Sequence, residues 1–214
     1  MNKHLVYGNG ESRLNAPKIE EDFITWGCNA IYRDMVVDNL VAIDYGIQQE
    51  IYQSGYPLKN KCWFAHWQVL PNFNPDYIKS DFKDIFETPK GNRINCVVQG
   101  RQEDGLYITW IAEEDMVHDI DYPKKWSAGN TALHLACQSG AEEVYMCGFD
   151  GNSNSKPLNN VYKGSKNYLP EDSRGFNTIN WDNQFKLVQK EFSDVQFYKV
   201  GTDLTYEELY NNIR

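Results

Sequence analysis

The residues Gly8-Asn9-Gly10-Glu11-Ser12 follow directly on the short apolar run Leu5-Val6-Tyr7. Glycines let a chain turn sharply and approach a ligand closely, while Asn and Ser at the mouth of the turn add side-chain donors and acceptors. Such a turn cradles phosphate in nucleotide folds, and it is also how an ordinary strand runs into a loop. Further polar residues stand just after other apolar runs: Asn29 and, a little on, Tyr32, Arg33 and Asp34; then Asp44 and Tyr45; then Asp150 in Gly148-Phe149-Asp150. In an open parallel sheet, ligands bind at the carboxyl ends of strands, so four runs ending in small polar or acidic groups point to a polar cleft. Each residue taken singly is equally at home in a turn. Ser127-Ala128-Gly129-Asn130 opens the strongest helical pattern of the chain, so its N–H groups and the positive end of the helix dipole suit a phosphate or carboxylate. Ser127 or Asn130 as a plain helix cap explains the same residues as well.

The elements that must carry these residues are readable from apolar patterning. Runs rich in β-branched and aromatic side chains recur at residues 3–7, 23–27, 39–44, 94–99, 107–112, 143–148 and 195–200, as buried strands of a largely parallel sheet do. The spacing predicts helices over 130–139 and 181–192, each followed at once by a strand, and a short terminal helix over 206–213. This rhythm predicts an α/β, Rossmann-like fold: a mostly parallel sheet with helices on both faces. The chain reads as a single nucleotide-binding domain over residues 1–214, with an insertion near 70–93 holding one small helix around 77–86. Residues 151–180, rich in Gly, Asn, Ser and Lys, form too long a loop to be idle and read as a lid over the ligand.

Composition narrows the classes. A net charge of −9 over 214 residues repels polyanions and acidic membranes at long range. The scattered lysines 59, 61, 124, 125, 163 and 166 read mainly as solvated surface. Five cysteines form an odd set with no CxxC pair, which argues against a disulfide framework or zinc site and suits a reducing cytoplasm. No apolar run is long enough for a membrane span or signal peptide, so a cytoplasmic protein is expected. A Walker loop, a Gly-x-Ser-x-Gly elbow, a His pair at metal spacing and a Cys–His nucleophile pair are missing from the sequence, which sets aside P-loop ATPase and α/β-hydrolase chemistry.

Taken in order, Gly8-Asn9-Gly10-x-Ser12, Cys28-Asn29-x-x-Tyr32, Ser127-x-Gly129 with Ala132 and Ala136, Gly140-Ala141-Glu142-Glu143-Val144-Tyr145 and Gly148-x-Asp150 resemble the bacterial sialyltransferases related to the lipo-oligosaccharide enzymes of Campylobacter. The chain also resembles a wider set of uncharacterised phage and bacterial proteins, and more distantly the 6-hydroxymethylpterin diphosphokinase-like family. The resemblance covers residues 3–45 and 125–200. It implies metal-independent, inverting transfer of a sugar from a cytidine monophosphate donor, with no cofactor beyond that substrate, to a hydroxyl of a glycan or of a modified base in phage DNA. By the same resemblance Asn9 and Asn29 would hold the nucleotide, Ser127 and Gly129 would contact its phosphate or ribose, and Asp150 would end the strand beneath the lid. Gly8, Gly10, Ser12, Asp44 and Asn130, taken from the strand and helix ends, complete the expected nucleotide site, with Arg33 and Lys163 expected to contact acceptor or phosphate. Tyr162 and Tyr168, with Lys166, would stabilise the leaving phosphate. The family's general-base histidine falls at Asn177, whose amide takes no proton at neutral pH, and Asp182 is the nearest carboxylate to replace it. Two rivals remain: a pterin-type diphosphokinase using ATP and magnesium held by Asp44 and Asp150, and a nucleotide binder without catalysis.

Overall fold

A computed structural model describes residues 2–15, 22–65, 67–70, 83–87, 94–98, 100–101, 107–112, 116–120, 126–201 and 206–209. The chain divides into two compact units, one of residues 1–41 and 126–214 and the other of residues 42–125.

The first unit is built on β1 (Lys3–Tyr7), β2 (Ile24–Cys28), β3 (Asn39–Ala42), β11 (Glu143–Cys147), β12 (Gln196–Val200) and β13 (Tyr206–Glu208), in the order β3-β2-β1-β11-β12-β13. Every pair is parallel except β12 with β13. This is the α/β, Rossmann-like architecture expected from the alternation of helix and strand. β1 lies at its centre because His4, Leu5 and Val6 are all buried, as a strand covered on both faces requires. Helices α2 (Ala128–Gln138) and α3 (Ile179–Glu191) lie side by side, and Phe185 of α3 packs edge-on against Phe197 of β12. The register His4↔Val144↔Phe197 puts that contact on the face of the sheet that carries His4. Leu5, Tyr145 and Cys147 cluster on the opposite face with Val200. Short 3-10 turns, Glu11–Asn15 and Asn29–Arg33, follow β1 and β2.

The second unit holds α1 (Tyr45–Gln53), the parallel pair β4 (Lys61–Ala65) with β10 (Val117–Ile120), and β5 (Trp67–Leu70), β6 (Lys83–Glu87), β7 (Ile94–Val98), β8 (Gly100–Arg101) and β9 (Tyr107–Ala112). The buried Gln48 of α1 donates its amide to the carbonyls of Ala42 and Ala65 at 2.9 and 3.1 Å, bonding both strand ends at once.

Three expectations are corrected. Residues 206–208 form strand β13 and not the start of a helix, since a segment this short gains more from pairing with the open edge of β12 than from an isolated helical turn. Residues 83–86 of the expected small helix belong to strand β6, paired antiparallel with β7; the remainder of that helix, and most of the insertion near 70–93, lie outside the described residues. The runs at 94–98 and 107–112 are strands, but β7 pairs with β6, and β9 with β5 and β8, in smaller sheets of their own. An apolar run marks a strand without naming its neighbour. Among the described residues no helix is long and apolar enough to cross a membrane.

Candidate functional site

Two strands run into the site. β1 ends at Tyr7 and its glycine turn lies against the end of β11: Gly8 N–H donates to the Cys147 carbonyl at 2.7 Å, and Gly10 N–H to the Gly148 carbonyl at 2.9 Å. A Cβ on Gly8 would stand 2.5 Å from the Gly148 oxygen, and one on Gly10 would stand 2.5 Å from Asp150 Oδ2. Both glycines are therefore required by the close approach of two strand ends. Asp150 then folds under the turn. Its carboxylate accepts Ser12 N–H at 2.8 Å and also the Ser12 hydroxyl, while Glu11 N–H goes to Asn159 Oδ1 at 2.7 Å. The N–H groups of residues 8, 10, 11 and 12 are thus all spent inside the protein. A carboxylate of the chain occupies the place that the sequence offers to phosphate.

The second strand, β2, ends at Cys28, and Asn29 follows in the left-handed region with φ 55°. Asn has a short polar side chain that tolerates this region better than most residues. Over Asn9 and Asn29 lies the segment 158–168. Val161 N–H donates to the Asn9 carbonyl at 2.8 Å, and the Tyr168 hydroxyl accepts Ala30 N–H at 3.2 Å and Asn9 Nδ2 at 3.4 Å. Lys163 pairs with Glu11 at 2.6 Å. Arg33 donates to Ser165 Oγ at 2.8 Å and to the Lys166 carbonyl at 3.1 Å, and its guanidinium lies over the Tyr162 and Tyr168 rings. The expected lid segment is accordingly strapped to the carboxyl ends of β1 and β2 in this structure.

Beneath the strap sits an ion pair that the sequence does not announce. Arg13, whose side chain is only 5% exposed, donates through Nη2 to Asp34 Oδ2 at 2.8 Å and to the Tyr162 hydroxyl at 2.9 Å. Tyr162 donates in turn to Asp34 Oδ2 at 2.5 Å. Burial, and then the Asp34 carboxylate, push the Tyr162 phenol well above its ordinary value, so it stays protonated as a donor. Arg13 is one residue past the Gly-Asn-Gly-x-Ser pattern and Asp34 one past Arg33, but nothing in their local spacing announces an ion pair. Three buried polar atoms of this region have no hydrogen-bond partner among the described residues: Asn9 Oδ1, Asn29 Oδ1 and Arg13 Nη1.

The structure therefore brings together Gly8, Asn9, Gly10, Ser12, Asn29, Arg33, Asp150, Tyr162, Lys163 and Tyr168, with the exposed Lys166 at the rim. Other expected site residues are occupied elsewhere. Ser127 caps α2 by accepting from Asn130 N at 3.3 Å, and buried Asn130 donates to the Trp181 carbonyl and Gln184 Oε1, fastening α2 to α3. Gly129 faces the Phe149 ring, 3.1 Å from where its Cβ would be, and the same ring lies 3.2 Å from the Cβ position of Gly8. An aromatic wedge thus fills the space between the glycine turn and the start of α2. Asn177 accepts Ile179 N–H at 2.9 Å at the start of α3, and Asp182 is exposed in the first turn, where a carboxylate favours the helix dipole. No hydrogen bond or ion pair joins Asp182 to Asn9, Asn29, Tyr162 or Tyr168 among the described residues. Asp44 precedes α1 in the second unit. No group of three or more His, Cys, Asp or Glu is arranged to hold a metal among the described residues.

Set against protein-family models, curated proteins and solved structures, the chain finds no match in any of the three comparisons.

Proposed function

We infer that the chain is a nucleotide-sugar-dependent glycosyltransferase of the sialyltransferase-like kind, with a cytidine monophosphate sugar as the favoured donor. The observation that carries this reading is the pair of unpartnered amide oxygens of Asn9 and Asn29, at the carboxyl ends of adjacent strands and beneath a strap that contributes Tyr162 and Tyr168. Ligands of open α/β sheets bind at that edge, and buried acceptors without donors are costly unless a ligand or water supplies them. In the transfer, the bond between the anomeric carbon and the phosphate oxygen breaks as an acceptor hydroxyl attacks the opposite face. Donors near the departing phosphate stabilise the charge that develops there. Tyr168 and Lys166, both on the strap, would take that role, joined by Tyr162 once its hydroxyl leaves Asp34. A glycan hydroxyl, or a hydroxylated base of phage DNA, is the acceptor class, and Asp182 the base.

A second reading, a nucleotide-sugar binder without turnover, is favoured by the bond of Asn177 Oδ1 to Ile179 N–H just before α3 and by the exposed position of Asp182. A panel of CMP-, UDP- and GDP-sugars separates the two. Donor hydrolysis or transfer supports the enzyme, a thermal shift with unchanged ligand supports the binder, and neither response with any donor refutes both.

A further inference from the structure

Strands β4 and β10 run parallel with Trp63 opposite His118. Side chains alternate across a strand, and Cys62, Phe64 and Val117 turn one face of this pair into the core, where each is buried. The other face carries Lys61, Trp63, Met116 and His118, and it is open: Met116 is 42% exposed, His118 is exposed and Trp63 half-buried. Parallel strands are ordinarily covered on both faces, as β3 and β11 are along their whole length. An indole and a thioether left at the surface of such a pair are the informative departure. The open rings are also ordered. Those of Trp63 and His118 stack with centres 4.8 Å apart and planes 30° apart, and Lys61 Nζ lies 4.7 Å from the centre of the Trp63 ring. Burial, and then the Lys61 ammonium, hold the His118 imidazole below its ordinary value. At neutral pH two uncharged heteroaromatic rings thus form a stack with one cation against it, and exposed Lys59 stands two residues before that cation.

We propose that the face of β4 and β10 carrying Lys61, Trp63 and His118 binds single-stranded nucleic acid, one base extending the ring stack and Lys61 taking the neighbouring phosphate. Aromatic rings beside a cation are the combination that holds single strands, since every base has a face to stack and every link a phosphate to pair. A neutral sugar would use the rings and leave the ammonium idle, and a duplex keeps its bases inside. The net charge of −9 supplies no long-range attraction to a polyanion, so the hold is local and sensitive to salt. The platform stands without the transferase reading. Where that reading holds, the platform selects a base in a single strand over a glycan as acceptor, and only this last step rests on it.

Calorimetric titration of the full chain at about 50 mM salt would compare a hexathymidylate, an abasic deoxyribose-phosphate strand of the same length and a neutral glucan hexasaccharide. Hexathymidylate is expected to bind, and the abasic strand to bind about tenfold more weakly, the scale of one lost stack. Trp63→Ala weakens hexathymidylate by a similar factor and the abasic strand no further. His118→Ala, at an exposed position, repeats the comparison if Trp63→Ala does not fold. Lys61→Gln weakens both strands alike and lowers the slope of log affinity against log salt by about 0.7, the value for one phosphate contact on a single strand. An abasic strand that binds as tightly as hexathymidylate shows a contact by charge alone, and strand binding that ignores both Trp63→Ala and His118→Ala lies elsewhere on the chain. Glucan binding that Trp63→Ala abolishes makes this a sugar platform, and no binding by any probe leaves a cross-strand pair that only stabilises β4 against β10. Each of these four results overturns the proposal. A response to a nucleotide-sugar donor without strand binding strikes the platform and leaves the transferase reading, and strand binding without a donor response does the reverse.

Discussion

Replacing Asp34 with Ala removes the one carboxylate oxygen that receives both Arg13 Nη2 and the Tyr162 hydroxyl. The guanidinium left behind is 5% exposed, so little water reaches it, while Asp34 itself is 42% exposed. Breaking a fully buried pair costs about 3–5 kcal/mol. Because the carboxylate end of this pair is wet, solvent both screens the attraction in the native protein and enters the vacated space, which brings the expected loss to about 2 kcal/mol. Tyr162→Phe deletes a donor to Asp34 and an acceptor from Arg13 and should cost about 1 kcal/mol. The two variants share a partner, so the double variant should lose less than the sum. Urea unfolding followed by tryptophan fluorescence reads this as a midpoint lower by about 1 M for Asp34→Ala, taking a slope of about 2 kcal/mol per molar. A control at the exposed Asp172, replaced by Ala, should stay within about 0.5 kcal/mol of wild type. The account of the strap is refuted if Asp34→Ala unfolds together with the Asp172 control, or if the losses of Asp34→Ala and Tyr162→Phe add in full.

His4 is fully buried and accepts the Trp26 indole N–H at Nδ1, and burial holds its pKa below the ordinary value near 6.5. The unfolded chain then binds a proton that the folded chain refuses, so stability should fall as pH drops below about 6.5, by up to about 1.4 kcal/mol per unit. His4→Asn, which keeps an acceptor near the Nδ1 position, should flatten that slope, and an unchanged slope would count against a neutral His4. The Cys28 and Cys137 thiols are pushed up to about 12 and that of Cys147 to about 11, burial being the main cause in each. At pH 8 all three should resist alkylation in the native protein and react on unfolding, as peptide mapping by mass would show. Gly10→Ala forces a methyl to within 2.5 Å of Asp150 Oδ2 and 2.6 Å of the Gly148 oxygen, and should cost about 1–3 kcal/mol. A Gly10→Ala protein as stable as wild type would mean that the turn is open and not packed on β11.

What sequence reasoning read well was local. Residues 3–7 were bounded correctly because three consecutive buried side chains leave no helical alternative over five residues, and the helix at Ala128–Gln138 announces itself by Ser127 before it and Gly140 after it. The position of α1 was not legible: YGIQQEIYQ offers Ile47 and Ile51 as buried aliphatic anchors, and its buried Gln48 is explained only by carbonyls of Ala42 and Ala65. Pairing partners were not legible either. The run Tyr107–Ala112 looks no different from a strand of the main parallel sheet, yet it pairs with β5 and β8. In the site, Asn9, Asn29 and Asp34 are legible because they follow strand ends, while the pairing of Arg13 with Asp34 is not, because it joins residues 21 apart under a loop that begins more than a hundred residues later.

The glycine turn carries a physical lesson about such motifs. Glycines at 8 and 10 fit a phosphate cradle and fit equally the seam between two strand ends, since either use needs a backbone without Cβ. What distinguishes them is where the amide protons go. Here Gly8 and Gly10 donate to carbonyls of Cys147 and Gly148, and Ser12 donates to Asp150, so the motif is satisfied from within. A phosphate placed there would have to displace a carboxylate of like charge and gain nothing in hydrogen bonds. Within the same turn and at the end of β2 the balance is different: the amide oxygens of Asn9 and Asn29 are buried with no donor among the described residues, beneath tyrosines against which two arginines pack. Polar groups buried unmet are costly and satisfied ones are not, so under the proposed function the amide oxygens of Asn9 and Asn29, and not the backbone N–H groups of the turn, are the atoms a ligand would reward.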